Sequence, residues 1–218
     1  MSEPIGLIEA LSTTRAIRRF RSDPIPDDVL KKVLEAANWA PSGQNNQNRQ
    51  FLVVRDPERR RAIGAIYRRG FQAFYDPERL ASWTSSAQRR MAEGAIHLAE
   101  NLGTEPPVLV LFCQPQPPQA ARSSPSVTRN WSRGSSLYAA VQNLLLAARA
   151  YGLGGCLTTV HLNYEDEVKA ILGIPDGIDT FALVPLGYPR DNFGPLSRRP
   201  IEEITFAETW GERFKSEH

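Results

Sequence analysis

The chain has 218 residues, 41% hydrophobic and 23% charged, with a formal net charge of +2. That length allows a core of ordinary size in one large domain or two small ones. The near-neutral balance provides no bulk electrostatic pull toward nucleic acid or an anionic membrane surface. The first residues lack the apolar region of a secretory signal and no run reaches transmembrane length, so a cytoplasmic protein is expected. Only four basic residues are lysine, at positions 31, 32, 169 and 215, an arginine skew that need not mean phosphate binding. Cys113 and Cys156 each lie in apolar surroundings and are expected to be buried free thiols. With His97, His161 and His218 they form no zinc-binding spacing.

Residues 4–11 form a short helical segment with Ile5, Ile8 and Leu11 on one side. Arg15, Arg18, Arg19 and Arg21 follow, with Ile17 and Phe20 as apolar anchors between them. Such a run is commonly a solvated basic turn; arginine forks can also clamp phosphate oxygens in bidentate fashion. Residues 24–40 read as a helix. Pro26 sits near its first turn, Asp27 and Asp28 favour the positive end of its dipole, and Val29, Leu30, Val33, Leu34, Ala37 and Ala40 form the buried stripe. The helix delivers Trp39-Ala40-Pro41-Ser42-Gly43-Gln44-Asn45-Asn46-Gln47. Pro41 stops the helix and Gly43 lets the backbone turn. Ser42, Gln44, Asn45 and Gln47 can each donate and accept hydrogen bonds, which suits a flat, polar-edged heterocycle.

A strand is expected at 51–54 and a helix at 57–74. Arg59-Arg60-Arg61 reads as its wet face, where Arg60→Ala should change stability by no more than about 0.5 kcal/mol. Residues 75–86 are less regular and 89–102 helical. The continuous apolar run at 108–112 fits a buried strand. Residues 114–126, rich in proline, form a loop long enough to serve as a lid. Residues 135–151 form a central helix apolar nearly all round, capped by Ser135 or Ser136. Gly152-Leu153-Gly154-Gly155 closes that helix and permits close backbone approach. It is not a dinucleotide fingerprint, because no strand precedes it and no helix follows directly. An extended segment at 156–160, a short helix at 165–172 and a strand at 180–186 complete the pattern. No repeat or boundary divides the chain, so residues 1–218 are expected to form a single α+β domain.

Four stretches taken together resemble the FMN-dependent nitroreductase family, to whose superfamily iodotyrosine deiodinase also belongs. They are Thr14-Arg15-Ala16-Ile17-Arg18; Ala40-Pro41-Ser42-Gly43-Gln44-Asn45; Gly152-Leu153-Gly154-Gly155-Cys156-Leu157-Thr158-Thr159; and Val184-Pro185-Leu186-Gly187-Tyr188-Pro189 followed by Arg198-Arg199-Pro200. The resemblance implies a three-layer α/β/α fold with a mainly antiparallel central sheet, assembled as an intertwined homodimer with FMN at the subunit interface. It implies that Arg15, Ala16 and Arg18, after Thr14, contact the ribityl phosphate and ring edge, and that Arg198 reaches the phosphate from the C-terminal segment. Ser42 would come from the partner subunit, with Pro41, Gly43, Gln44 and Asn45 beside it. Leu157, Thr158 and Thr159 would place backbone or hydroxyl donors near the flavin N5 and O4 edge.

The activity implied is hydride transfer from NAD(P)H through flavin N5 to a small electron-poor aromatic, a nitro compound or quinone, by a ping-pong scheme. No protein nucleophile or metal is required. Three departures matter. Thr14 stands where arginine is frequent, Ala16 where serine is common, and Asn48-Arg49 replaces a frequent Pro-Trp. The first two thin the phosphate clamp and the third alters a wall. A dedicated flavin reaction such as reductive dehalogenation or flavin fragmentation, and a non-catalytic FMN-binding protein, are the alternatives, because a fold does not fix a substrate.

Overall fold

In the computed structural model, residues 5–76, 78, 82–117 and 134–214 are described. Strands β1 (Gln50–Val54), β2 (Val108–Pro115), β3 (Gly154–Gly155) and β4 (Ile178–Gly187) form one sheet in the spatial order β1, β2, β4, β3. Every neighbouring pair is antiparallel. Side chains alternate across a strand. Val108, Val110 and Phe112 of β2 therefore enter one core, and Leu109, Leu111 and Cys113 the other. Strand β2 is covered on both faces, which is why it reads as an unbroken apolar run. It continues to Pro115, past the expected end at 112, and its register with β4 shifts between Phe112 and Cys113.

Helices α1 (Leu7–Thr13), α2 (Asp27–Asn38), α3 (Pro57–Phe74), α4 (Ser86–Asn101), α5 (Ser135–Ala150) and α6 (Glu165–Leu172) surround the sheet. Residues of α2 and α5 pack on the even-numbered face of β2, and those of α3, α4 and α6 on the odd-numbered face. The result is the expected three-layer α+β arrangement. Helix α2 buries Val29, Leu30, Val33 and Ala37 of its predicted stripe. Helix α3 matches its predicted bounds, and Asp56 Oδ1 accepts the Arg59 N–H at 2.8 Å as its cap. Helix α4 starts earlier than expected, because Ser85 and Gln88 close a reciprocal capping box. Helix α5 is not capped by a serine: Gly134 stands at its N-cap, and Ser136 Oγ instead accepts the Gly43 N–H at 3.3 Å. Its C-terminus closes as expected. Gly152 takes φ +75°, and Leu153 N–H bonds to Ala148 O at 2.8 Å. Residues 118–126 of the proline-rich loop lie outside the described residues. Among the described residues no helix is long and apolar enough to cross a membrane.

Both cysteines are buried free thiols, pushed up by desolvation to about 12 for Cys113 and about 11 for Cys156. Neither is a thiolate near neutral pH.

Arg60 corrects the reading of α3 as a solvated face. Its Nη1 donates to Pro106 O at 2.7 Å and its Nε to Arg55 O at 3.2 Å, bracing α3 against the turn between α4 and β2. Arg60→Ala should therefore cost about 1–2 kcal/mol in urea unfolding. Arg61→Ala, at an exposed neighbour, should cost about 0.5 kcal/mol or less.

His161 is fully buried in the 3-10 turn Val160–Tyr164, and neither ring nitrogen has a hydrogen-bond partner among the described residues. Burial lowers its pKa to about 4. The unfolded chain, with an ordinary histidine pKa of about 6.5, binds the proton more readily than the native one. His161 thus leaves stability intact above about pH 6.5 and removes it as pH falls toward 4, by up to about 3 kcal/mol. Denaturation midpoints between pH 7 and 4.5 should fall more steeply for the natural chain than for His161→Leu.

Candidate cofactor site

The first arginine segment is held along the open edge of β3. Ile17 N–H bonds to Gly155 O at 3.0 Å, while β3 pairs with β4 on its other side. A Cβ on Gly154 would lie 2.5 Å from Ile17 Cγ1, so this approach needs glycine there. Further along, Arg21 N–H bonds to Tyr188 O at 2.9 Å, and Arg190 N–H to Arg19 O at 3.1 Å. Glu105 locks the same stretch from the α4–β2 turn. Its Oε2 accepts the Phe20 N–H at 3.1 Å and lies 2.9 Å from His97 Nε2, and its Oε1 lies 3.5 Å from Arg190 Nη2.

The segment after β4 is tied down independently. Leu196 N–H bonds to Ser12 O at 3.1 Å, and the Arg149 guanidinium lies 4.2 Å from the centre of the Phe193 ring. Arg149 Nε also donates to Thr13 Oγ1 at 3.0 Å. These anchors bring Arg198 to the first arginine segment. Arg15, Ala16, Arg18 and Arg198 line one groove of about 560 Å³. Ala87, Arg90 and Met91 of α4 form the facing wall, with Pro195, Leu196 and Ser197 beside Arg198. Arg90 was missed in the sequence, where it looks like any solvated helix arginine. The available signal is the spacing Ala87, Arg90, Met91, Gly94, which gives α4 one face of small, apolar and cationic residues.

Thr14 is not part of this wall. Its hydroxyl donates to Ala10 O at 2.6 Å, back into α1. Thr158 also turns inward. It is buried, its hydroxyl donates to Tyr67 Oη at 3.0 Å, and its N–H bonds to Leu183 O at 3.0 Å. Burial raises Tyr67 to about 12 and the Thr158 bond partly offsets this, so the phenol stays protonated. Leu157 and Thr159, on either side, are exposed.

The loop Pro41, Ser42, Gly43, Gln44, Asn45 stands away from the arginine groove, against the start of α5. Its turn is not made at Gly43, where a Cβ would meet nothing within 4 Å. Gln44, Asn45 and Gln47 carry the left-handed backbone, with φ 54°, 54° and 48°. Asparagine tolerates that region through its short polar side chain; glutamine does so at a cost. Ser42 steadies the loop, because its Oγ accepts the Gln47 N–H at 3.1 Å and its carbonyl the Asn45 N–H at 2.9 Å. Arg49 lies beside β1, in the wall of a groove of about 680 Å³. It is buried, and its guanidinium donates to Ala40 O at 2.6 Å and Ala37 O at 3.4 Å, closing the C-terminal end of α2.

The sequence profile of the nitroreductase family matches residues 11–188. The chain belongs to the nitroreductase family. A protein of Thermus thermophilus named NADH dehydrogenase is 34% identical over 217 residues, covering 87% of this chain and 90% of that protein. Iodotyrosine deiodinase of Drosophila melanogaster is 31% identical over 201 residues, covering 91% of this chain and 68% of that protein. A crystal structure of oxidized iodotyrosine deiodinase bound to FMN and 3-iodo-L-tyrosine superposes with a TM-score of 0.67 at 25% identity, covering 94% of this chain and 99% of that one. Membership in the nitroreductase family makes the protein an oxidoreductase by kinship. The relatives divide between nicotinamide-linked and deiodinating names.

In this member of the nitroreductase family, Gly154→Ala should force the Ile17 segment off β3 and cost about 1–3 kcal/mol in denaturant unfolding. Gly177→Ala, where a Cβ meets nothing within 4 Å, should change stability by less than about 0.5 kcal/mol.

Proposed function

We propose that the protein is an FMN-dependent oxidoreductase, active as a homodimer, that transfers reducing equivalents from NAD(P)H to a small electron-poor aromatic such as a nitro compound or quinone. The observation that carries this reading is the meeting of Arg15, Arg18 and Arg198, from distant parts of the chain, in one groove. Among the described residues none of these three forms an ion pair. A phosphomonoester carries about −1.5 to −2 charge near pH 7, and guanidinium forks match its oxygens. The groove therefore fits the phosphate end of FMN, and its apolar wall at Met91, Pro195 and Leu196 can exclude water from the ligand.

FMN, when bound, would supply the two-electron chemistry that links the nicotinamide donor to the acceptor. The chain's own residues bind and orient. Arg15, Arg18 and Arg198 neutralise the phosphate and Ala16 lets the ligand approach the backbone. Leu157 and Thr159 offer backbone donors, and Thr158, fixed by Tyr67, holds them in place. We assign Pro41, Ser42, Gly43, Gln44 and Asn45 to the polar edge of the ring in the partner subunit's site. The exposure of Pro41, Gly43, Gln44 and Asn45 in a single chain and the strained backbone at Gln44 support this assignment.

Exposed apolar side chains support the homodimer. Ile8 is 76% exposed, Trp39 78% and Trp210 91%. Strand β1 ends the sheet, and a groove of about 680 Å³ beside it is lined by Leu30, Leu34, Trp39, Phe51 and Val53. An open strand edge beside a groove with apolar residues at its centre and charged ones such as Asp27, Lys31 and Arg55 around it is a surface that soluble chains cover. The C-terminal segment of a second copy, with Ile201, Ile204 and Trp210 exposed, is the occupant we assign.

The similarity to iodotyrosine deiodinase favours one second reading, reductive dehalogenation of a halogenated phenol. Purified protein should be yellow, elute as a dimer in light scattering, and lose its flavin absorbance under anaerobic NADH or NADPH. Turnover of nitrobenzoate or benzoquinone marks the first reading, and halide release from 3-iodotyrosine with dithionite as donor marks the second. Colourless protein that takes up no added FMN overturns both.

A further inference from the structure

We infer that Arg90, on α4, is a direct ligand of the phosphomonoester held in the groove, standing in for the hydrogen-bonding side chains that this chain lacks at positions 14 and 16. This rests on the FMN reading above. The thinned clamp is visible in the structure. Thr14 spends its hydroxyl on Ala10 O, and Ala16 presents only a methyl. The segment before β3 thus offers two guanidiniums, Arg15 and Arg18, where a fuller set of donors could stand.

Helix α4 completes the set from the opposite wall. A Cβ on Gly94 would lie 3.5 Å from Arg18 Cδ, so the Arg18 stem runs across α4 at that point. Arg90 lies one turn toward the N-terminus on the same face, because residues i and i+4 are neighbours on a helix. It lines the groove together with Arg15, Arg18 and Arg198. Among the described residues no carboxylate lines that groove. Glu93 and Asp191 line an adjoining cavity of about 320 Å³ that Arg15, Arg18 and Arg90 also line. Even so, among the described residues no carboxylate pairs with Arg15, Arg18, Arg90 or Arg198. Four guanidiniums gathered without a counterion repel one another, and a dianion with three terminal oxygens can engage several forks at once. Ala87, in the first turn of α4, also lines the groove, so the positive end of that helix dipole adds to the field.

The test separates the phosphate from the ring. Apoprotein is titrated with FMN and with riboflavin, which lacks the phosphate, following flavin fluorescence, for the natural chain, Arg90→Gln and Arg61→Gln. Arg90→Gln should weaken FMN roughly tenfold or more, leave riboflavin within about twofold, and flatten the salt dependence of FMN binding. Arg61→Gln should change neither. The 31P resonance of protein-bound FMN should move in Arg90→Gln and stay put in Arg61→Gln. Arg90→Lys keeps the charge without the fork and should fall between Arg90→Gln and the natural chain, which provides a readout if Arg90→Gln folds poorly. Equal weakening of both flavins, or FMN affinity and 31P shift both unchanged in Arg90→Gln, overturns the inference while leaving the FMN reading standing. A natural chain that binds neither flavin overturns the FMN reading and this inference with it.

Discussion

One backbone hydrogen bond, from Ile17 N–H to Gly155 O, decides where the first arginines go. It makes an irregular segment into an extra rung on the edge of the sheet. Strand β3 is only two residues long, both glycine, and is squeezed between β4 and Ile17. Side chains there would separate the layers, because close packing leaves no slack for an extra methyl group. Glu105 then fixes the far end of the segment at Phe20 N–H. Arg18 lies between these two fixed points and Arg15 two residues before the first, so the backbone sets where both stems start. Positioning a flexible side chain from a rigid base reduces the entropy lost when it engages a ligand.

The two cores serve this arrangement unequally. The face built from α2 and α5 supports the sheet and ends at the polar loop, where Arg49 closes α2. The other face, from α3, α4 and α6, contains Ile17 and Phe20 among its buried residues. The arginine segment is therefore anchored in that core through Ile17 and Phe20, three residues apart.

Much of this was legible in the sequence. Strand β2 announced itself because a strand covered on both faces must be apolar at every position. The closing glycines of α5 were recognisable because a left-handed C′ residue favours Gly152. Arg15, Ala16, Arg18 and Arg198 were grouped through family likeness, and the structure brings them to one groove. What stayed hidden has a common cause. Arg60, Arg90 and Arg49 are all arginines whose function depends on what lies opposite them, and one-dimensional spacing carries no record of that. Arg60 meets a carbonyl 46 residues away, and Arg49 meets carbonyls that only a turn makes adjacent. The left-handed residues at Gln44 and Gln47 were hidden as well, because glutamine gives no local signal for that backbone and Gly43 gave a misleading one.

Among the described residues no carboxylate pairs with the arginines of the groove, which bears on how long the fold lasts. Mutual repulsion among like charges is at its worst when nothing anionic is lodged between them, and a bound anion stabilises only the folded form. If the groove takes the phosphomonoester proposed for it, a copy without that anion would open first under heat or protease, and a loaded copy would last longer.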